Sequence, residues 1–251
     1  IIETPDHLLT FNYPTFGGWW IGYNAPAFGQ GADYTFYPMT QATAQPYRLE
    51  GIISNLGVQS QENTTMHVNI DEGGTITSLS SIPIQLLSSE NDTVETASSF
   101  SPTIAGVLKM SFWTTSDSLP TTDTIEMKAK VTDTIYAIDR DWESDGETAS
   151  GYAYLVRPDC GQVLGNVFDI WADDSLTSIS FHVSDKSIAG AEVRVQVYED
   201  IPGTTISPLL NIESSVYKLK SQDIGNWVTI PLSTALLAGT SYLAAVNKIV
   251  L

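Results

Sequence analysis

Short segments in which apolar and polar residues alternate recur along the first half of the chain. They are residues 49–53, 66–70, 82–86, 108–112 and 125–131. A period of two places every second side chain on one face of a strand, so each segment is predicted to be a β-strand with one buried face. Turn-forming clusters such as Asp71-Glu72-Gly73-Gly74 follow most of them. The pattern is typical of an antiparallel sandwich of about seven strands, the immunoglobulin-like size class.

The same alternation continues in the second half, at residues 178–183, 193–198 and 228–232. A helix at residues 236–240 would end at Gly239 after at most one turn. The sequence therefore predicts an all-β chain with two antiparallel β-sandwich domains.

A polar, acidic and glycine-containing stretch at 143–150 marks the predicted domain boundary. We expect an N-terminal arm at 1–34, an immunoglobulin-like sandwich at 35–145 and a second sandwich at 146–251. The chain starts at Ile1 and stops inside an apolar run. We therefore expect a fragment of a longer protein, with its second sandwich truncated at the C-terminus.

The N-terminal arm, residues 1–34, contains no Lys or Arg and shows neither helical nor strand periodicity. Aromatic residues and glycines are dense in it, and an irregular segment that carries Trp19, Trp20 and Tyr23 must place these large rings against something. One interpretation is an arm packed on its own domain. The other is an aromatic platform that contacts a sugar or a partner chain.

The net charge of −18 limits the possible partners. A strongly acidic chain repels nucleic acids and anionic membrane surfaces, so neither partner is expected. No segment reaches the roughly 18 consecutive apolar residues that predict a transmembrane helix, and the single Cys160 forms no intrachain disulfide.

The sequence carries no recognisable catalytic motif. His7, His67 and His182 are the histidines, and the last two are predicted to face outward on strands. No HExxH pattern or Gly-x-Ser-x-Gly elbow accompanies them. The chain is therefore predicted not to be an enzyme. A Ser-His-Asp triad assembled in space is the open alternative.

Alternating acids at the domain boundary are the candidate metal ligands. Asp139, Asp141, Glu143 and Asp145 present several carboxylates within one short stretch, and Ca²⁺ binds six to eight oxygen atoms. The bidentate Glu of an EF-hand is missing, because position 152 is Tyr. A simple calcium clip and a solvated acidic linker are both open.

Several segments resemble the modular proteins that Bacteroidetes export by the type IX secretion route. They are residues 47–57 and 68–70, similar to the opening strands of the immunoglobulin-like modules, residues 129–141, similar to the closing strand, and residues 161–170, 226–228 and 237–246, similar to the jelly-roll-like sandwich that often follows. The resemblance covers roughly residues 35–251. It implies a secreted or cell-surface protein.

The resemblance also implies O-glycosylation at Asp-Ser/Thr-apolar triplets. The matching hydroxyl residues are Thr93, Ser118, Thr124, Thr134 and Ser175. We expect Thr134 to be buried in a strand and unmodified, which leaves Thr93, Ser118, Thr124 and Ser175 as predicted sites.

Three functional hypotheses follow. The first is a non-catalytic structural or adhesive module: a spacer, a filament subunit or a docking surface whose partners are other protein chains, by self-assembly or in a surface complex. The second is a pair of accessory β-domains of an exported protease or glycosidase. The third is a carbohydrate-binding module whose partner is a glycan.

Overall fold

The computed structural model describes residues 6–17, 36–119, 124–137, 162–200 and 209–249. The chain divides into two compact units, Ile1–Ile138 and Asp139–Leu251. Nearly all regular structure in the described residues is β-strand, in sheets whose pairs are antiparallel with one exception. The predicted all-β fold is therefore confirmed. The predicted boundary at 143–150 lies outside the described residues.

Nine strands and one short helix make up the described part of the first unit. They are β1 Leu9–Gly17, β2 Phe36–Pro38, α1 Met39–Ala44, β3 Arg48–Asn55, β4 Gln61–Glu72, β5 Thr75–Ser80, β6 Ile84–Leu86, β7 Asn91–Glu95, β8 Gly106–Thr115 and β9 Ile125–Thr132. A small sheet has the order β1-β3-β7, and a larger sheet has the order β2-β9-β8-β4-β5, with β6 also paired to β4. The β2–β9 pair is the parallel exception.

The core of the first unit follows the predicted alternation. Residues at inward positions of β4 and β8 are fully buried: Met66, Val68, Ile70, Leu108, Met110 and Phe112. Ile82 departs from the prediction, because it is 70 % exposed. Segment 82–86 is not one strand: β6 begins only at Ile84, after Pro83. A proline cannot donate a ladder hydrogen bond, which explains the late start.

Two elements differ from the sequence prediction. Leu9–Gly17 forms a strand within the arm expected to be irregular, and it pairs with β3 across a register irregularity between Asn12 and Thr15. The irregular spacing matches this interruption, since a bulge breaks the period of two. The helix α1 was not predicted.

No helix in the described ranges has the length and apolarity that a membrane crossing requires.

Seven strands make up the described part of the second unit. They are β10 Gln162–Ile170, β11 Asp174–His182, β12 Glu192–Asp200, β13 Leu209–Glu213, β14 Tyr217–Lys218, β15 Trp227–Leu236 and β16 Thr240–Ile249. One sheet has the order β10-β16-β12-β13, with β14 also paired to β12, and the second sheet consists of β11 and β15.

Two of the three predicted segments of the second unit have buried inward positions, whereas in segment 178–183 Val183 is buried but Ile179 and Phe181 are only half-buried. Val193, Val195 and Val197 on β12 are buried, and so are alternate residues of β15 from Val228 to Leu232. In the fold, β16 is an interior strand that pairs with β10 on one side and β12 on the other.

Candidate binding face

Two groups of predicted site residues fall outside the described residues. The aromatic group is Trp19, Trp20 and Tyr23, and the acidic group is Asp139, Asp141, Glu143 and Asp145. The aromatic platform and the calcium clip therefore stay predictions. Within the described ranges, no three His, Cys, Asp or Glu side chains are grouped so that they could hold a metal ion.

The predicted glycosylation residues all lie at exposed positions. Thr93 is on β7, Ser118 is in the turn after β8, Thr124 directly precedes β9, and Ser175 is on β11. The preceding aspartate accepts a hydrogen bond from the backbone N–H of Thr93 at 2.8 Å and of Ser175 at 2.7 Å.

The expectation that Thr134 is buried was wrong. Strand β9 ends at Thr132, and Thr134 lies exposed in the bend that follows. The hydroxyl of Thr132 stabilises this bend, because it accepts a hydrogen bond from the N–H of Ile135 and donates one to the carbonyl of the same residue.

His67 and Trp113 form a stacked pair on the outer face of the larger sheet of the first unit. The two residues are direct cross-strand partners on β4 and β8. Their ring centroids are 5.4 Å apart and the ring planes are inclined by 21°. Both side chains are half-buried, whereas their sequence neighbours Met66, Val68, Phe112 and Thr114 point into the core. The pair therefore presents an aromatic surface outward.

Both ring nitrogens of His67 have hydroxyl partners. Nδ1 lies 2.9 Å from Oγ of Ser80 on β5, and Nε2 lies 2.9 Å from Oγ1 of Thr115 on β8. Burial lowers the pKa of His67 below its ordinary value, which favours the neutral imidazole. A neutral imidazole donates through one nitrogen and accepts through the other, so these two bonds fix the ring.

The neighbouring cross-strand rows are mostly uncharged. Asn69 and Ser111 are partners in the next row, where the hydroxyl of Ser78 donates to Oδ1 of Asn69 at 2.7 Å. We call this surface the outer face: His67, Asn69, Ser78, Ser80, Trp113 and Thr115.

A second cross-strand pair, His182 and Trp227, lies on β11 and β15 of the second unit. Here the rings meet edge to face, with centroids 5.7 Å apart and an angle of 74°. The adjacent hydroxyls of Ser180 and Thr229 bond to each other at 2.9 Å. This pair therefore lacks the stacked, hydroxyl-anchored geometry of the outer face.

The sequence identified His67 and His182 as outward-facing but missed both tryptophans. Trp113 directly follows the alternating run at 108–112, and its partner lies 46 positions earlier on β4 (113 − 67). Only the register between the strands joins the two rings. Tryptophan at an outward strand position is the one signal that could have drawn attention to Trp113.

Other titratable groups with shifted pKa values take part in separate local contacts. Burial raises the pKa of Tyr47 in the core. The pKa of Tyr217 is raised by its hydrogen bond to Asp223, 2.9 Å away. Tyr47 belongs to the first unit and Tyr217 to the second.

Comparisons with known proteins do not identify a family. No protein family and no curated protein matches the chain. Among solved structures, a β-glucosidase from Erythrobacter marinus is similar over 50 % of this chain and 16 % of its own, with a TM-score of 0.31 and 8 % identity. A GH20 exo-β-N-acetylglucosaminidase from Vibrio harveyi, an inactive mutant, is similar over 57 % of this chain and 23 % of its own, with a TM-score of 0.19 and 16 % identity. The chain thus spans less than a quarter of either protein, and neither likeness indicates a function.

Proposed function

We propose that the chain is a non-catalytic adhesive module of a secreted or cell-surface bacterial protein, of the kind exported by the type IX route. The observation that carries this proposal is the His67–Trp113 pair, an aromatic surface held on the open face of a sheet. A surface whose side chains are already fixed loses less entropy when it binds. The hydrogen bonds of Ser80 and Thr115 to the imidazole fix this surface.

The position of Trp113 supports a contact role. A sandwich needs apolar residues only on its inner faces, and the inner positions of β8 are already filled by Leu108, Met110 and Phe112. An outward tryptophan is therefore not required by the core. Tryptophan is enriched where proteins meet ligands or partners, because it offers a large contact area at little cost in entropy.

The acidic composition and the five exposed triplet hydroxyls, Thr134 included, agree with an extracellular protein. Exposed hydroxyls after aspartate would be accessible to a glycosyltransferase after folding. A net charge of −18 keeps such a protein soluble and away from anionic surfaces.

A bead assay tests the proposal. Beads coated with the protein are mixed with each other and with extracellular matrix from a bacterium that uses the type IX route. We expect clumping or attachment, and we expect the Trp113→Ala variant to attach less.

The same preparation is incubated with chromogenic glycosides and with casein. Turnover of either substrate contradicts a non-catalytic module. Beads that neither clump nor attach contradict adhesion. Mass photometry separates the two positive outcomes, because defined oligomers indicate self-assembly and monomers indicate attachment to another molecule.

A further inference from the structure

We propose that the outer face around Trp113 and His67 binds a sugar ring of an uncharged polysaccharide. Such a ligand deepens the adhesive function proposed above, on which it rests. Three features of the face point to this ligand: the orientation of the aromatic rings, the hydrogen-bonding capacity around the imidazole and the balance of charge.

The indole of Trp113 is oriented before any ligand arrives. The imidazole of His67 stacks on it at 5.4 Å, and the imidazole is itself held by Ser80 and Thr115. A fixed aromatic ring loses little entropy on binding. The imidazole covers one face of the indole, so a sugar would stack on the other face. The faces of a pyranose ring carry C–H groups with a small positive charge, which match the negative face of an indole.

The two hydroxyls retain capacity for a ligand. Each hydroxyl has one hydrogen to donate and two lone pairs. A neutral His67 donates to one of these hydroxyls and accepts from the other. The hydroxyl that accepts from the imidazole keeps its own hydrogen, and the hydroxyl that donates to the imidazole keeps its lone pairs. A free donor therefore lies on one side of the imidazole and a free acceptor on the other. Sugar hydroxyls can bond to both groups, because a hydroxyl both donates and accepts.

The charge around the pair favours an uncharged ligand. Across β4, β8 and β9, the charged residues in the next two cross-strand rows are Asp71, Lys109, Glu126 and Lys128. On the other side of the pair, beyond the row of Thr65 and Thr115, Asn63 donates to Asp117. Three carboxylates and two ammonium groups therefore surround the pair, and they form no positive patch. A polyanionic glycan would be repelled by the chain and would gain no compensating patch here.

Fluorine NMR on the intact chain tests the site directly. The six tryptophans are replaced by 5-fluorotryptophan, and the Trp113→Phe variant assigns the resonance of Trp113. Cellohexaose, laminarihexaose and mannohexaose are the uncharged probes, and an oligogalacturonate is the charged comparison. We expect at least one uncharged probe to shift the Trp113 resonance at about 1 mM, with no shift from the oligogalacturonate.

Three variants separate a binding role from a structural one. Trp113→Ala should raise the dissociation constant of the active sugar about tenfold or more. Thr115→Val keeps the side-chain shape but removes the hydroxyl, and it should weaken binding by a smaller factor. Trp227→Ala removes an exposed tryptophan from the other cross-strand pair and should leave the affinity unchanged. If Trp113→Ala does not fold, Trp113→Phe and Thr115→Val with unchanged melting temperatures provide the comparison.

Two results would overturn the sugar site. One is the absence of any Trp113 shift with all three uncharged sugars. The other is a shift confined to other tryptophans, which would move sugar binding to a different surface. If no sugar binds, beads that still clump or attach leave the adhesive function standing with a protein ligand. If a sugar binds elsewhere, such beads leave the adhesive function standing with its contact at that other surface. The two proposals therefore fail separately.

Discussion

Glu72 accepts two hydrogen bonds from Thr103, one from the backbone N–H and one from the side-chain hydroxyl, each 2.6 Å long. A third, from the N–H of Ile104, is 3.2 Å long. Glu72 is the last residue of β4 and only 8 % exposed. Its carboxylate therefore ties the loop before β8 to the end of the strand.

Replacing Glu72 with Gln should destabilise the first unit by about 1–3 kcal/mol, since hydrogen bonds to a charged, buried acceptor are lost or weakened. Urea denaturation followed by circular dichroism measures this difference. Glu126→Gln is the matched control, because Glu126 is exposed on β9. We expect the control to change the free energy of unfolding by less than about 0.5 kcal/mol. Equal effects of the two substitutions would contradict the role of Glu72.

The same carboxylate should make stability depend on pH. Burial by itself would raise the pKa of Glu72, but the hydrogen bonds from Thr103 and Ile104 outweigh burial and the pKa lies below its ordinary value. A lowered pKa in the folded state contributes stability above the unfolded value of about 4.3. That contribution is lost as the pH falls through the lower folded pKa. The stability gap between wild type and Glu72→Gln should therefore shrink on acidification below about pH 4. A constant gap would show that the charge of Glu72 plays no part.

Asn55, the last residue of β3, links the segment that follows β3 to the end of β6. Its side-chain amide donates to the carbonyls of Gln59, Leu86 and Leu87 at 2.9–3.1 Å, and its Oδ1 accepts from the N–H of Gly57 at 3.0 Å. Asn55 itself is fully buried.

Asn55→Ala should cost about 2–4 kcal/mol, because several buried backbone groups lose their partner at once. Asn226→Ala is the control, because that amide donates to two carbonyls, those of Gln222 and Ile224, at an exposed site. Thermal denaturation of both variants gives the comparison. A loss no larger than that of Asn226→Ala would argue against a network at Asn55.

The exposed triplets predict where sugar is attached if the protein is exported as proposed. Peptide mass spectrometry should find hexose on Thr93, Ser118, Thr124 and Ser175, and also on Thr134, now that it is known to be exposed. Thr75 is an internal control, since it is exposed and precedes Ile76 but follows a glycine. Asp92→Asn should remove the modification at Thr93 alone. Modified Thr75, or unmodified triplets throughout, would refute the motif.

Much of the fold was readable from the sequence because strands have a period of two. Met66, Val68 and Ile70 had to share a face, and that face had to be the buried one. The same logic identified β12 and β15 in the second unit. It failed where the period is interrupted, at the register irregularity in β1 and at Pro83 before β6.

The candidate binding face depended on information that no local pattern holds. The sequence determined that His67 points outward, since it alternates with core residues. The period of two would give Trp113 the same orientation, but the predicted run stopped at Phe112. Only the tertiary structure decided that the two rings stack and that Ser80 and Thr115 take the two imidazole nitrogens. The physical reason is that strand register is set by the packing of whole sheets and by turn geometry, so partners far apart in the chain meet only after the sheet has assembled.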